Sequence, residues 1–148
     1  MEIAAASAQS VGYCNTVGTA TTMNSLAEGL GMQLPGAAAI PAPYRERGQI
    51  SYETEQRIVD MVWEDLRPSD IMTRGSFKTA IVINLAIGGS TNAPIHLNAI
   101  ARHLDIPLSN DDSKSMEHKP PLLVNLQPAG GVLGRRLSPH GWCPSCCG

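Results

Sequence analysis

The stretch TRGSFKTAIVINLAIGGSTNAP, residues 73–94, contains the clearest helical pattern in this chain. Thr73 is a residue type that caps helix N-termini, and apolar side chains then recur at helical spacing as far as Leu85. The pair Gly88-Gly89 is typical of a helix end, and the cap-type run Ser90-Thr91-Asn92 is typical of a helix start. The stretch therefore predicts two consecutive helices joined by a short glycine turn.

The sequence also predicts two helices before this stretch, and it indicates where the helix that begins at residues 90–92 ends. The first helix runs from about residue 21 to Leu30 and stops at Gly31. The second follows a proline-containing loop over residues 34–49, is capped by Ser51 and ends before Pro68. Its apolar stripe consists of Ile58, Met61, Val62 and Leu66. The helix after the stretch extends to about Leu104.

In the C-terminal third, the sequence pattern predicts less helix. Residues 109–119 are mostly polar and predict a loop. Leu122–Leu126 is an apolar run that does not alternate, which predicts a β-strand buried on both faces.

Composition excludes several classes of partner. The chain of 148 residues has a formal net charge of −2 and 11 thinly spread lysines and arginines, so it predicts neither a nucleic-acid nor a membrane surface. No apolar run approaches the roughly 20 residues that span a bilayer. Cys14 stands apart from Cys143, Cys146 and Cys147, a spacing unlike a secreted disulfide framework, which favours the cytoplasm.

Cys14 lies in a turn of small residues just before the first predicted helix, where a thiolate is favoured. Three interpretations stay open from the local sequence: a buried structural thiol, an iron–sulfur ligand, or a nucleophile. A nucleophile would need a base, for which His96 and His103 are the candidates on one predicted helix.

Two segments are candidates for binding a substrate or another anion. Ser90, Thr91 and Asn92 place free backbone N–H groups at a helix start, although an ordinary cap motif explains them as well. Arg45 and Arg47 follow a rigid proline loop and can anchor an acidic ligand or a subunit contact, or simply be solvated.

Three motifs, in this order, resemble the dihydroxy-acid/phosphogluconate dehydratase family. They are CNTVGTATTMN at residues 14–24, IPAPYRER at 40–47 and GGSTNAPIH at 88–96, and the resemblance extends from about Ala4 to Gly130. The first two are most similar to the sugar-acid branch, the arabinonate and xylonate dehydratases. Members of the family are several-fold longer than this chain.

The resemblance implies the fold and the cofactors. It implies an incomplete, helix-rich portion of the family's N-terminal α/β domain, with Cys14 as the last of three cysteines that hold an iron–sulfur cluster, either [2Fe–2S] or [4Fe–4S]. The other two cysteines and a magnesium-binding motif would lie upstream of Met1, and the serine base would lie in a C-terminal motif. No catalytic residue is thus expected within the chain, and it is expected to be inactive alone.

The resemblance also implies the reaction and the partners. The family removes water from a sugar acid or a branched-chain dihydroxy acid: a base takes the C2 proton, the C3 hydroxyl leaves with Lewis-acid assistance, and the enol becomes a 2-keto acid. Magnesium would hold the substrate carboxylate. Full-length members are expected to be homo-oligomers.

Residues 131–148 depart from the family pattern, which divides the chain into a partial dehydratase domain over 1–130 and a disordered tail. A one-nucleotide frame shift can restore a family-like continuation, so we interpret the tail as frameshifted coding sequence. Two other functions stay open. The chain can be an inactive remnant or interaction fragment, or the tail's CxxC motif with His140 can form a small zinc module.

Overall fold

The computed structural model describes residues 16–40, 42, 44–116, 120–128 and 130–131. Over these residues the chain forms helices and connecting loops. In chain order the helices are α1 (Thr19–Gly29), a 3₁₀ turn (Ala37–Ala39), α2 (Arg45–Trp63), α3 (Pro68–Ile71), α4 (Arg74–Ala86), α5 (Ala93–His103) and α6 (Asn110–Met116). Within the described ranges, no helix combines the length and the apolar character needed to cross a bilayer.

The hydrophobic core lies where α1, α4 and α5 pack together. Leu26 of α1, Phe77 of α4 and Leu97 of α5 are its largest fully buried side chains. Small residues let the helix backbones approach closely. At Gly29 of α1, an added Cβ would lie 2.5 Å from Cδ1 of Ile83, so α1 and α4 meet at a position that only glycine fits without a shift.

Two predicted helix ends are confirmed, the start of α4 at Thr73 and the end of α1 at Gly31. The Thr73 side chain accepts a hydrogen bond from the backbone N–H of Ser76 at the start of α4. Gly31, the predicted stop of α1, has φ of 80°, and Met32 N–H donates to the Ala27 carbonyl at 2.9 Å. This Schellman-type ending requires the left-handed conformation that glycine adopts without strain.

The predicted start of α2 is wrong. Sequence reasoning placed residues 34–49 in a loop and Ser51 at the N-cap, whereas the helix begins at Arg45 with Tyr44 as its N-cap. The Ser51 hydroxyl donates to the Arg47 carbonyl one turn earlier, as serines inside helices do. No proline stands between Pro43 and Pro68, and Glu46 favours the first turn, so the helix can begin six residues before the predicted cap.

Of the apolar stripe predicted for the second helix, Ile58, Met61 and Val62 lie on α2, whereas Leu66 lies beyond its end at Trp63. None of the described residues of α2 is buried. Ile58, Val62 and Trp63 are 58%, 74% and 85% exposed, and the neighbouring Val59 is 54% exposed. Exposed apolar residues grouped on one helix face are typical of a surface that contacts other protein.

The predicted loop over residues 109–119 contains the short helix α6, so that prediction is wrong for Asn110–Met116. The Asp112 carboxylate accepts from the backbone N–H of Ser109 at 3.0 Å, closing the first turn. Its other oxygen accepts from Arg74 Nη2 at 3.0 Å, which ties α6 to the start of α4. Arg74 also donates to the Pro107 carbonyl. The helix is held by these polar contacts and by Met116 against the core, not by an apolar stripe.

We expect Asp112→Asn to remove part of the acid sensitivity of this chain. The backbone N–H of Ser109, and then Arg74, lower the pKa of Asp112 below its usual value. A lowered pKa stabilises the fold above that value, and this contribution is lost as the pH falls through the lowered pKa. Urea unfolding at about pH 5 and about pH 3 should therefore show a smaller difference for Asp112→Asn than for the parent. Asp111→Asn, on the exposed side of the same turn, is the matched control, and an equal pH difference in all three proteins would contradict the assignment.

The strand predicted at Leu122–Leu126 is also wrong. Within the described ranges the structure contains no β-strand, and Leu126 forms only an isolated bridge. The segment is extended and is held by single contacts: Leu123 N–H donates to the Ala86 carbonyl at 2.7 Å. Val124 and Leu126 are buried while Leu122 and Leu123 are exposed, so the run is not buried on both faces. The described part is helix-rich, and the α/β class of a complete domain stays a prediction.

Candidate functional site

Cys14 lies outside the described residues, but the segment that follows it is fixed in place. The Thr16 carbonyl accepts from the Thr21 hydroxyl at 3.0 Å. Val17 is buried, and its N–H donates to the Gln127 carbonyl at 2.7 Å. Residues 16–19 are therefore anchored on one side to α1 and on the other to the extended segment near residue 127.

The loop between α4 and α5 is built from the motif GGSTN, residues 88–92. Gly88 has φ of 59°, and Gly89 N–H donates to the Asn84 carbonyl at 2.8 Å, which ends α4. The Ser90 hydroxyl accepts from Asn92 N–H at 3.2 Å. The chain thereby turns sharply out of α4 and enters α5.

This loop and the start of α1 are hydrogen-bonded to each other. The hydroxyls of Thr19 and Ser90 are 3.2 Å apart, and Asn92 Nδ2 donates to Thr19 Oγ1 at 2.9 Å. Ser90 N–H donates to Thr22 Oγ1 at 3.0 Å. We call Thr19, Thr22, Ser90 and Asn92 the threonine cluster. It joins the candidate residues of the GGSTN motif to the segment that follows Cys14.

Two helix N-termini meet at the threonine cluster. Neither α1 nor α5 has a side-chain cap or an acidic residue in its first turn. The Asn92 side chain, which the plain capping interpretation would place on the N-terminus of α5, instead donates to Thr19. At α5 the first N–H groups donate to the Ser90 and Asn92 carbonyls, so the uncapped N–H groups lie at the start of α1. These groups and the two positive helix ends give this place the chemistry of an anion site. Thr91 and Asn92 are exposed beside it, and Thr19 and Ser90 are half-buried.

The two arginine candidates lie elsewhere. Arg47, in the first turn of α2, donates from Nη2 to the Ile40 carbonyl at 2.6 Å and so fixes the loop that precedes α2. Arg45 is exposed at the helix start. Over the described ranges, no hydrogen bond joins either arginine to the threonine cluster, and a role in substrate binding stays a prediction.

The remaining metal and base candidates are not brought together where the structure can show them. His96 and His103 are both exposed on α5. In the part of the chain that is described, no three or more histidine, cysteine, aspartate or glutamate side chains form a cluster that could hold a metal ion. Cys14, His140 and the three C-terminal cysteines lie outside that part.

Sequence reasoning gave no site role to Thr22, a member of the threonine cluster, or to Asn84, which lies beside it. Thr22 is fully buried and binds the loop, and Asn84 has a buried Oδ1 without a hydrogen-bond partner. Gly89 faces both, because an added Cβ would lie 2.1 Å from Asn84 Oδ1 and 2.8 Å from Thr22 Cγ2. The paired glycines were the available signal, since a helix end needs only one of them.

Comparison with known proteins identifies the family. The family model described as dihydroxy-acid/6-phosphogluconate dehydratase N-terminal matches residues 1–147. The match includes most of residues 131–148, which the sequence analysis assigned to a separate tail, and that boundary stays a prediction.

Three curated relatives carry names of the two expected kinds. The D-xylonate dehydratase of Caulobacter vibrioides is 53% identical over 142 residues, 96% of this chain and 24% of the relative. The L-arabinonate dehydratase of Rhizobium leguminosarum is 51% identical over 97% of this chain and 25% of its own length. The dihydroxy-acid dehydratase of Pyrococcus furiosus is 42% identical over 88% of this chain and 26% of its own length.

This chain therefore spans about a quarter of the length of the curated relatives that it matches. The two sugar-acid dehydratases are more similar to it than the dihydroxy-acid dehydratase is, which confirms the resemblance to the sugar-acid branch. The chain belongs to the dihydroxy-acid/6-phosphogluconate dehydratase family.

Proposed function

We propose that this chain forms part of the active centre of a hydro-lyase that dehydrates a sugar acid to a 2-keto-3-deoxy acid. The observation that carries the proposal is the junction between the segment after Cys14 and the GGSTN loop, joined by the Asn92–Thr19 and Ser90–Thr22 hydrogen bonds. Support for the substrate class comes from the relatives named as D-xylonate and L-arabinonate dehydratases. Branched-chain dihydroxy acids are the second substrate class.

Cys14 is proposed as one ligand of an iron–sulfur cluster, of either the [2Fe–2S] or the [4Fe–4S] type, with the other ligands supplied from outside this chain. The described residues fit such a group: the turn after Cys14 is fixed by hydrogen bonds from Thr21 and to Gln127, and it leads into a helix N-terminus free of acidic residues. A positive helix end favours the thiolate that binds iron. When bound, the cluster supplies Lewis acidity to the departing hydroxyl group.

Ser90, Thr91 and Asn92, at the exposed edge of the threonine cluster, are proposed to hold the substrate carboxylate. The uncapped N–H groups at the start of α1 and the positive dipole ends of α1 and α5 favour an anion, and the Ser90, Thr91 and Asn92 side chains add neutral donors that fix its orientation. Magnesium, as the family resemblance implies, would share the carboxylate with these donors. Arg45 is exposed and available for an acidic ligand, whereas Arg47 is engaged with Ile40.

The second candidate is an interaction fragment without activity of its own. The exposed apolar face of α2 favours it, because Ile58, Val62 and Trp63 are each more than half exposed. The same face is compatible with the first candidate, in which other parts of a dehydratase or a second subunit would contact it.

Two chimeras, with the same piece of this chain in two different host enzymes, separate these candidates. Residues 1–130 of this chain replace the stretch that they match in the D-xylonate dehydratase of C. vibrioides, here called the xylonate graft, and likewise in the dihydroxy-acid dehydratase of P. furiosus. Both are purified anaerobically and assayed for 2-keto acid formation.

The sugar-acid assignment predicts that the xylonate graft keeps more than about a tenth of its parent's kcat/KM. The P. furiosus graft should fall to about a hundredth of its parent's value or lower. The reverse ranking would indicate a dihydroxy-acid enzyme. Two inactive grafts that still fold would support the interaction fragment.

A further inference from the structure

We infer that Thr22 is a positioning residue of this centre: its buried hydroxyl sets where the GGSTN loop lies relative to the segment that follows Cys14. The inference rests on the proposed function and adds a residue that the sequence pattern did not indicate. Thr22 itself does not touch the substrate. It acts through Ser90, because its hydroxyl oxygen accepts a hydrogen bond from the Ser90 backbone N–H.

Thr22 is unusual in its burial. It is 0% exposed, and among the residues that the structure describes it is the one buried side chain that is not hydrophobic. Its Oγ1 accepts from Ser90 N–H at 3.0 Å, across 68 positions of sequence. A buried hydroxyl persists in a core only when its hydrogen bonds are made, because an unpaired buried donor or acceptor costs roughly 1–3 kcal/mol. The Ser90 bond is thus a strong constraint on the loop.

The neighbouring threonine makes the corresponding contact on the other side. Thr21 donates from its hydroxyl to the Thr16 carbonyl at 3.0 Å, two residues after Cys14. Two consecutive side chains of α1 therefore hold the two candidate segments, Thr21 the cysteine segment and Thr22 the loop. Because α1 is rigid over one turn, the two segments keep a fixed relative position.

The packing around Thr22 limits how the loop can move. The Thr22 methyl group lies 2.8 Å from the place that a Cβ on Gly89 would occupy, so the loop backbone rests directly on this side chain. On its other side the same glycine faces Asn84, whose Oδ1 is buried. Loss of the Thr22 oxygen leaves Ser90 N–H with an apolar surface in front of it. We expect the loop to shift outward until water reaches that N–H group.

The test compares Thr22→Val, which keeps the shape but loses the oxygen, with Thr22→Ser, which keeps the oxygen. Thr79→Val is the matched control, because Thr79 is an exposed helical threonine whose hydroxyl bonds only to the Gly75 carbonyl one turn earlier. In the full 148-residue chain, amide hydrogen exchange of Ser90 is measured first. Thr22→Val should exchange at least about tenfold faster than the parent, and Thr22→Ser should stay within about threefold of it.

The same three substitutions are then made in the xylonate graft, with KM, kcat and bound iron measured for each. Thr22→Val should raise KM at least about fivefold with unchanged iron per chain, and Thr22→Ser should restore KM. A Thr22→Val graft with the KM of the unsubstituted graft, or a Thr22→Ser protein with the same defect as the valine variant, would overturn the inference. An unsubstituted graft without turnover would instead contradict the proposed function.

Discussion

Substituting alanine for Phe77 is expected to destabilise the fold by about 3–5 kcal/mol, the range for removing a buried aromatic ring. Phe77 is 0% exposed in the core between α1, α4 and α5, in one cluster with Leu26 and Leu97. Urea unfolding followed by circular dichroism measures the change. Val82→Ala, on the outer side of the same helix at 39% exposure, should cost less than about 1 kcal/mol. Equal effects of the two substitutions would mean that the core does not lie where the three helices meet.

The second large effect is expected at the candidate site, from Gly89→Ala. The new methyl group would lie 2.1 Å from Asn84 Oδ1 and 2.8 Å from Thr22 Cγ2, and overpacking of this kind costs about 1–3 kcal/mol. The loop must move away from α1, so kcat/KM of the xylonate graft should fall at least about tenfold as well.

Two companion variants make the Gly89 prediction specific. Gly48→Ala lies within α2 with no atom within 4 Å of the added Cβ, and it should stabilise the chain by about 0.5–1 kcal/mol. The double variant Gly89→Ala with Asn84→Ala removes the closest contact and should regain part of the lost stability. If the single alanine at 89 is as stable as the parent, the close packing of the loop on α1 is not a constraint.

Local signals were sufficient to predict the two helices over residues 73–94. The Thr73 cap, the apolar spacing and the glycine pair act within one or two turns, so the structure follows them. The start of α2 was not predictable in this way, because Ser51 is a good cap residue that here bonds within the helix. The helix α6 was missed because Arg74, 38 positions earlier, supplies one of its contacts.

The extended segment at residues 122–126 shows the same limit. Its apolar composition is typical of a buried strand. Among the described residues, however, Leu123 bonds to the Ala86 carbonyl and the adjoining Gln127 bonds to Val17, without forming a sheet. A run of apolar residues indicates that a segment is partly buried. It does not indicate whether neighbouring strands are present to form a sheet with it.

For the candidate site, the sequence indicated the segments but not the contacts between them. The cap-type residues and glycines of the GGSTN motif predicted a helix start with free N–H groups. The structure contains the helix start, but its first N–H groups donate to the Ser90 and Asn92 carbonyls. The hydrogen bonds of Thr22 to Ser90 and of Asn92 to Thr19 join residues 68 and 73 positions apart. No local pattern marks Thr22 among the threonines of its helix, because its role depends on a loop that comes much later in the chain.

The central claim is that Cys14 and the segment it precedes belong to an iron–sulfur dehydratase centre, and anaerobic iron and sulfide analysis tests it most directly. The xylonate graft is compared with its Cys14→Ser variant, with Cys14→Ala as a second substitution that cannot bind iron through oxygen. We predict iron and sulfide at the level of the parent dehydratase in the graft, and background levels of both in the two Cys14 variants. Full iron and sulfide in the folded Cys14 variants would contradict the claim.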